Sequence, residues 1–345
     1  MGTLRVAIPS EGALEAPTLE LLASCGLAVD RANPRRYTAE IPASPGVEVL
    51  FQRSSDITQE VDGESADIGI TGLDRYLEYR REGGDSILIY EDLAFGQASL
   101  VLAVPEGWLD VTTLADLADL ALEFRENGRE LRVATKYPRL VRRFLHRHGI
   151  NYFTLVHAGG GLEAAPVMGY ADLIADITAS GTTLRENRLR PLRDGLVIAS
   201  QAAMIGNGGL LGGEPGKLAL VRGLLERIEA TLRARGFQRV TANIQGESSD
   251  AVAQRVMSKR HLAGMQGPTI SDVYSDDGRR WFQVQVVVKR TDLINVVGHF
   301  RELGGSGLTV NDAAYVFRAR CDAYEALVSN LRERGWLTTG GPAAP

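Results

Sequence analysis

A run of small and hydroxyl residues, Thr-Ala-Ser-Gly-Thr-Thr at 178–183, follows an apolar segment that carries Asp172 and Asp176. Small side chains leave backbone N–H groups accessible, so such a turn at the start of a helix can hold an anion such as a phosphate. Asp176 precedes the turn directly, where an acid suits a sugar hydroxyl or a metal ion. The alternative is an ordinary helix start, in which Thr182 or Thr183 caps the helix and the turn binds nothing. Composition alone leaves both interpretations open.

Other motifs for nucleotide, metal or nucleophilic chemistry are missing from the sequence. The segment LGGEPGKL (211–218) has Leu218 where a P-loop needs Ser or Thr, and GNGGLLGG (206–213) lacks the spacing of a dinucleotide-binding turn. We interpret both as flexible linker. The five histidines do not cluster, and Cys25 and Cys321 form no metal-binding pattern. No GxSxG motif or Ser/His/Asp arrangement is present, so the sequence predicts no covalent nucleophile.

Bulk composition narrows the class of protein. The chain has 345 residues, of which 44% are hydrophobic and 23% charged, enough for two or three domains of ordinary globular character. The net charge of -5 argues against a general nucleic-acid or membrane-surface binder. No segment has the length and apolarity of a bilayer span or a signal peptide, so we expect a soluble, cytoplasmic protein.

Strand-like and helix-like patterns alternate around the phosphate-type turn. Short apolar runs such as LRVAIP, VEVLFQ, ADIGITG and ASLVLAVP predict buried strands, and the 3.6-residue spacing in Leu14–Cys25 predicts a helix. A second helix, RYLEYRREGG, is predicted to end at Gly83 and Gly84. This alternation predicts an α/β fold with largely parallel sheets in two lobes, whose ligands lie at the carboxyl ends of the strands. Crossing segments near Phe95 and Thr183 would place a cleft between the lobes.

The pattern changes after a long amphipathic helix, PGKLALVRGLLERIEATLRARG. The order strand, helix, strand, strand, helix, strand then predicts a ferredoxin-like unit. The predicted domains are lobe I (1–95 with 184–236), lobe II with the phosphate-type turn (96–183), the ferredoxin-like domain (237–318), and a C-terminal helix with a flexible tail (319–345).

The segment GLEAAPVMGYADLIADITASGTTLRENRL (161–189) resembles the signature segment of the ATP phosphoribosyltransferase family. The blocks FQRSSDITQEVDGESADIGITGLD, LAFGQASLVLAVP and LRVATKYPRLVRRFL resemble the family's other recurrent blocks, in family order. The C-terminal unit resembles the regulatory domain of the family's long form, including GPTISDVY and HFRELGGSGLTV. The resemblance extends from Leu4 to about Phe317.

This resemblance implies a fold and a reaction. The fold is a bilobal, periplasmic-binding-protein-like catalytic core with a C-terminal ferredoxin-like (ACT-like) regulatory domain. In the reaction, adenine N1 of ATP attacks the ribose C1 of 5-phosphoribosyl-1-pyrophosphate (PRPP), and pyrophosphate leaves with Mg²⁺. The product, N1-(5-phosphoribosyl)-ATP, begins histidine biosynthesis. The resemblance further implies feedback inhibition by L-histidine and a homo-oligomer, a dimer or a hexamer.

Site residues also follow from the resemblance. The residues that it assigns to the 5-phosphate of PRPP are Ala179, Ser180, Gly181, Thr182 and Thr183. It implies that Asp176 holds the ribose hydroxyls, that Glu163 lies near the ribose, and that both carboxylates are ligands of Mg²⁺.

The resemblance assigns a second set to the ATP and pyrophosphate side, namely Arg53, Asp74, Lys136 and Tyr137. Arg53, together with the two acids Glu163 and Asp176, is implied to be catalytic. Apart from the resemblance, Arg53, Asp74 and Glu163 would each be interpreted as a member of an ordinary ion pair.

Three positions depart from the family pattern. Glu11 and Ala13 stand where a Lys and an Arg are expected, and Gln97 stands where the family often has Arg. Charge-assisted contacts are the strong ones in anion sites, so these changes predict a weaker site on the ATP side. The alternative function is therefore a non-catalytic or weakly active paralogue that binds phosphoribosyl ligands as a regulatory module.

Overall fold

The computed structural model describes residues 2–33, 35–157 and 161–337. Its strands are β1 (Leu4–Pro9), β2 (Thr38–Glu40), β3 (Val47–Gln52), β4 (Ile68–Gly72), β5 (Ser86–Tyr90), β6 (Ala98–Pro105), β7 (Leu131–Thr135), β8 (Phe153–His157), β9 (Leu173–Thr178), β10 (Leu189–Ser200), β11 (Ala202–Asn207), β12 (Phe237–Gln245), β13 (Thr269–Val273), β14 (Trp281–Lys289) and β15 (Ser306–Asp312). Its α-helices are α1 (Glu15–Ser24), α2 (Ile57–Asp62), α3 (Leu73–Tyr79), α4 (Leu114–Glu126), α5 (Pro138–Arg147), α6 (Thr182–Glu186), α7 (Gly208–Gly213), α8 (Pro215–Ala234), α9 (Ser249–Met257), α10 (Leu293–Glu302) and α11 (Asp322–Glu333). None of the helices in the described residues is long and apolar enough to cross a bilayer.

The structure divides into two compact units. The first contains the described residues up to Leu21, from Ala28 to Leu220 and from Ala326 onwards, and the second contains Leu22–Leu27 with Val221–Glu325. The predicted mixed α/β class is confirmed.

The first sheet of the first unit has the strand order β2-β3-β1-β4-β11-β5. Its centre is parallel, because β1 pairs in parallel with both β3 and β4, whereas β2 and β11 pair antiparallel with their neighbours. The carboxyl ends of β1, β3 and β4 therefore share one edge of the sheet. That edge carries Glu11, Arg53 and Asp74, each of which follows one of the three strands within two residues.

The second sheet of the same unit has the order β10-β6-β9-β7-β8. β7 pairs in parallel with β8 and β9, while β6 pairs antiparallel with β9 and β10. The carboxyl ends of β7 and β9 lie at one edge, which places Lys136 next to the turn that follows Thr178. The predicted lobe boundary at 183/184 assigns β10 to lobe I, whereas its pairing with β6 places it in the sheet of lobe II.

Two local predictions in this unit are wrong. The helix predicted to reach Gly83 and Gly84 is α3, which ends at Tyr79 because Arg80 has an extended backbone (φ -57°, ψ 142°). The glycine-rich stretch interpreted as linker forms β11, α7 and the start of α8. The Asn207 side chain caps α7 by accepting the N–H of Leu210 (3.0 Å).

The second unit contains a four-stranded antiparallel sheet of order β13-β14-β12-β15. Its chain order, β12-α9-β13-β14-α10-β15, is the predicted ferredoxin-like order. Alternate residues of β12 and β14 face inward, where Val240, Phe282 and Val284 pack with Val296 and Phe300 of α10. The predicted C-terminal helix is α11, and the predicted flexible tail lies outside the described residues from 338 onwards.

Candidate functional site

The strand–turn–helix from β9 to α6 builds the phosphate-type turn. Thr178 Oγ1 accepts the N–H of Gly181 (2.8 Å), and Gly181 has a left-handed backbone (φ 71°) that turns the chain into α6. Gly181 is itself the N-cap and offers no side-chain cap, so neither Thr182 nor Thr183 caps the helix. The side chains of Ser180, Thr182 and Thr183 are exposed. The turn therefore presents hydroxyls and backbone donors to solvent and is not an ordinary capped helix start.

Arg185 adds a positive charge to this turn that the sequence analysis did not single out. Its guanidinium donates to the Ser180 carbonyl (Nη1, 3.2 Å) and to Thr182 Oγ1 (Nη2, 3.1 Å). The sequence signal was available, because Arg185 lies three residues after Thr182, and residues at this spacing share a helix face. A cation at a phosphate-type turn favours an anionic ligand.

Asp176 lies on β9, half-buried, and one of its carboxylate oxygens (Oδ1) accepts the N–H of Ile177 (2.8 Å). Burial raises the pKa of Asp176 above its ordinary value, and the negative charge of Glu163 raises it further. The positive charges of Lys136 and Arg75 act in the opposite direction on the same pKa. The strand pairing places Lys136 beside Asp176, because the residues that precede them, Thr135 and Ala175, are partners in the sheet. The Arg75 guanidinium lies 4.9 Å from the ring centre of Tyr137, the residue after Lys136, and the short turn that carries Glu163 packs against β9. These four charged side chains therefore form one cluster.

The cluster, hereafter the cleft cluster, consists of Arg75, Lys136, Glu163 and Asp176. Lys136 follows β7 directly and is half-buried, and Glu163 lies in a short 3₁₀ turn, Leu162–Ala164. Arg75 belongs to α3 and its side chain is 27% exposed. Three of the four residues were predicted from the sequence to be at the site, and Arg75 was not.

Tyr137 lies next to Lys136 but faces the protein interior. Its side chain is 1% exposed and packs in the core of the second sheet. Its hydroxyl donates to Asp74 Oδ2 (2.7 Å). Burial, with the negative charge of Asp74, raises the pKa of Tyr137 far above its usual range. This tyrosine remains a protonated donor, and its ring is not presented to a ligand.

Asp74 is likewise used inside the protein. The residue is 7% exposed, and its second oxygen (Oδ1) accepts the Ser200 hydroxyl (2.6 Å) while its backbone N–H donates to the same hydroxyl (3.0 Å). Both carboxylate oxygens therefore have protein donors, from Tyr137 on one side and Ser200 on the other. Asp74 therefore connects α3 to the start of α5 and to β10.

A further contact supports the same connection. The buried carboxylate of Glu78, at the end of α3, accepts the N–H groups of Arg139 and Leu140 (both 2.9 Å). These N–H groups belong to the first turn of α5, whose N-cap, Tyr137, provides no side-chain cap. Glu78 thus satisfies donors that a helix start leaves unpaired and holds the turn after β7 against α3.

Arg53 takes no part in the contacts of Tyr137, Asp74 and Glu78. Its side chain is 73% exposed, and its Nε lies 3.5 Å from Glu11 Oε1. Glu11 stands where the family pattern expects a lysine, and it also pairs with Arg53, which the resemblance assigns to the site. Ala13 is exposed and contributes no charge.

The acids of the cleft cluster can be tested as magnesium ligands. In the described parts of the chain, no three His, Cys, Asp or Glu side chains form a metal-binding group. Mg²⁺ usually keeps several waters and is held by one or two carboxylates together with substrate phosphates. A magnesium ion held by Asp176 and Glu163 would therefore need phosphate oxygens of the substrate and water molecules to complete its ligands.

Comparisons with known proteins agree with these features. Residues 53–230 match the family model "ATP phosphoribosyltransferase", and residues 234–313 match "HisG, C-terminal domain". The chain is 40% identical over 334 residues to "ATP phosphoribosyltransferase 2, chloroplastic" of Arabidopsis thaliana, covering 95% of this chain and 80% of that protein. It is 42% identical over 206 residues to the "ATP phosphoribosyltransferase" of Brucella suis, covering 59% of this chain and 89% of that protein.

Among solved structures, the "ATP phosphoribosyl transferase (HisG:HisZ) complex from Thermotoga maritima" aligns with a TM-score of 0.51 at 26% identity. The alignment covers 66% of this chain and 96% of the aligned chain of that complex.

The strand–turn–helix at Asp176, with these matches, defines an enzyme of the pentosyltransferase class. More narrowly, the chain belongs to the ATP phosphoribosyltransferase family, the first enzymes of histidine biosynthesis. The resemblance found in the motifs is thereby confirmed. The roles of single residues remain predictions.

Proposed function

We propose that the chain binds PRPP at the turn after β9 and transfers its phosphoribosyl group to N1 of ATP in the cleft beside it. The observation that supports this assignment is the position of Asp176, which is half-buried near the end of β9, just before the exposed hydroxyl-rich turn and beside Lys136. In this arrangement, the donors of residues 179–183 hold the 5-phosphate. Asp176 then accepts hydrogen bonds from the ribose hydroxyls.

The chemistry requires positioning and charge and no side-chain nucleophile. As the bond from C1 to pyrophosphate breaks, positive charge develops on the sugar, and a carboxylate next to it lowers the energy of that state. Asp176 and Glu163 supply the negative charge. Mg²⁺, bound by these acids together with PRPP, would neutralise part of the leaving diphosphate. Tyr137, Asp74 and Glu78 hold the surrounding elements in place and do not contact substrate.

The test is product formation from ATP, PRPP and Mg²⁺ by the full chain. Asp176→Asn keeps the size of the side chain and removes its charge, so we expect kcat/KM to fall about 100-fold. Asp119→Asn is the matched control, because Asp119 is exposed on α4 of the same lobe. Equal rates for the two variants would contradict the role of Asp176, and no product from the folded wild type would contradict the proposed reaction.

The alternative function, a weakly active paralogue that binds phosphoribosyl ligands, is favoured by one observation. Glu11 pairs with Arg53 where the family pattern expects cations. Calorimetric binding of PRPP without turnover would support this alternative. Glu11→Lys combined with Ala13→Arg should then raise the rate, because the pair that occupies Arg53 is removed while positive charge is added.

We further propose that L-histidine inhibits the enzyme through the ferredoxin-like unit and that the chain works as a homo-oligomer in the cytoplasm. The match of residues 234–313 to the C-terminal family domain supports a regulatory role. Rate measurements with increasing histidine, and light scattering with and without it, test the two parts separately. Cell fractionation tests the location, for which the name of the Arabidopsis relative gives a chloroplast as the competing outcome.

A further inference from the structure

Arg75 is a cation of the cleft cluster whose hydrogen-bonding capacity is largely unused. In the described residues, its guanidinium donates no hydrogen bond; the nearest acid is Asp74, whose Oδ2 lies 3.7 Å from Arg75 Nε. Both oxygens of Asp74 already accept hydroxyl protons from Tyr137 and Ser200. A guanidinium has five N–H donors, so most of those of Arg75 remain free for an anion.

The orientation of Arg75 is nevertheless constrained. Its guanidinium carbon lies 4.9 Å from the centre of the Tyr137 ring, a distance at which the cation is attracted to the ring face. Tyr137 is itself immobilised by the core and by its hydrogen bond to Asp74. The Arg75 guanidinium is therefore held in its orientation before a ligand binds, which reduces the conformational entropy lost on binding.

The neighbours of Arg75 indicate which anion it meets. Arg75 lies over the ring of Tyr137, the residue after Lys136, and the pairing of β7 with β9 places Lys136 beside Asp176, the proposed ribose ligand. The other nearby cations have different positions, because Arg185 holds the turn at Ser180 and Arg53 is paired with Glu11. The negative group closest to the ribose, apart from the 5-phosphate, is the diphosphate on C1.

We propose that Arg75 binds the diphosphate of PRPP at C1 and holds it as it leaves. The proposal rests on the proposed function, because it takes the turn after β9 as the 5-phosphate site. In this role, Arg75 comes from α3, which follows β4 of the first sheet, whereas Asp176 lies on β9 and Lys136 follows β7 in the second sheet. It also supplies, from α3, positive charge that the chain lacks at Glu11 and Ala13.

The sharpest test is a comparison of Arg75→Met, Arg75→Lys and Arg81→Met in the full chain. Arg81→Met is the matched control, since it removes the same charge from an exposed side chain just after α3. Calorimetry measures the affinity for magnesium pyrophosphate, and steady-state kinetics measure the KM values for PRPP and ATP. Thermal melting shows that each variant is folded.

We expect Arg75→Met to weaken pyrophosphate binding and to raise the KM for PRPP by about 10- to 100-fold, the loss of one charge-assisted contact. The KM for ATP should change less than about twofold, and Arg81→Met should match the wild type. Arg75→Lys should recover part of the affinity, because it keeps the charge and loses the fork.

Two results would overturn the proposal. One is equal pyrophosphate affinity in Arg75→Met and Arg81→Met, and the other is a loss confined to ATP. A wild type that forms no product would contradict the proposed function alone, because the pyrophosphate titration still reports on Arg75.

Discussion

Tyr137→Phe removes a single hydroxyl and with it the hydrogen bond to Asp74 Oδ2 (2.7 Å). Both side chains are buried, so water does not replace the lost donor. Hydrogen bonds to charged groups contribute roughly 1.5–3 kcal/mol to stability, and we expect the free energy of unfolding of the first unit to fall by about 2 kcal/mol. For a unit of this size, such a loss lowers Tm by about 4–8 °C.

Tyr79→Phe is the matched control for this measurement. The Tyr79 hydroxyl donates to the Lys136 carbonyl at 3.4 Å, so it makes the same kind of connection between the same two elements with a longer bond to a neutral acceptor. We expect it to lower stability by less than about 1 kcal/mol. Calorimetric melting of the two variants side by side gives the comparison. Equal losses would refute the view that the Tyr137–Asp74 bond is the stronger connection.

The same pair predicts a dependence on pH. Burial and the charge of Asp74 raise the pKa of Tyr137 in the folded protein, while the unfolded chain releases this proton near pH 10. The stability from this group is complete below pH 10 and falls as pH rises above it, by up to about 1.4 kcal/mol per pH unit. Tyr137→Phe lacks this loss, so the stability difference between wild type and variant should shrink between pH 10 and 11. A constant difference across that range would contradict the assigned cause.

Two glycine substitutions separate strain from function. Gly181→Ala and Gly128→Ala place alanine in the same left-handed backbone conformation (φ 71° and 75°), so both variants carry similar strain. Only Gly181→Ala alters the phosphate-type turn. We therefore expect the KM for PRPP to rise about tenfold in Gly181→Ala and to stay unchanged in Gly128→Ala. Gly208→Ala would overlap the ring of Trp336 and should cost about 1–3 kcal/mol by thermal melting. Gly216→Ala, whose added methyl group meets open space in α8, should leave stability unchanged or slightly raised; equal melting temperatures for these two variants would contradict the packing argument.

Features encoded by local patterns were predicted from the sequence. The turn after β9 and the order of the ferredoxin-like unit follow from hydrophobic period and turn residues within short windows. Asp176 was identified from its place just before that turn, whereas Glu163 and Lys136 were assigned by the family resemblance. Strand ends that share a sheet edge are brought together by the topology, whatever their separation along the chain.

Features encoded by distant packing were not predicted. GNGGLLGG has the composition of a linker, yet Gly208 and Gly212 lie so close to Trp336 that an added methyl group at either would overlap it. Only a partner far along the chain makes glycine necessary there. The family resemblance assigned Tyr137 to the ATP side, and nothing near it in the sequence shows that its hydroxyl faces Asp74.

For Asp74 and Arg75, the sequence does not reveal which of the two side chains faces a ligand. The two residues are adjacent in the first turn of α3, and the rotation of the helix decides which of them faces a ligand. That rotation is determined by Leu73 and Tyr76, which are buried in the core of the first sheet. It directs the acid toward Ser200 and Tyr137 and leaves the arginine fork without a hydrogen-bonded acceptor among the described residues. An acid that matches a family motif can therefore position the cleft, while its neighbour supplies the charge that meets the substrate.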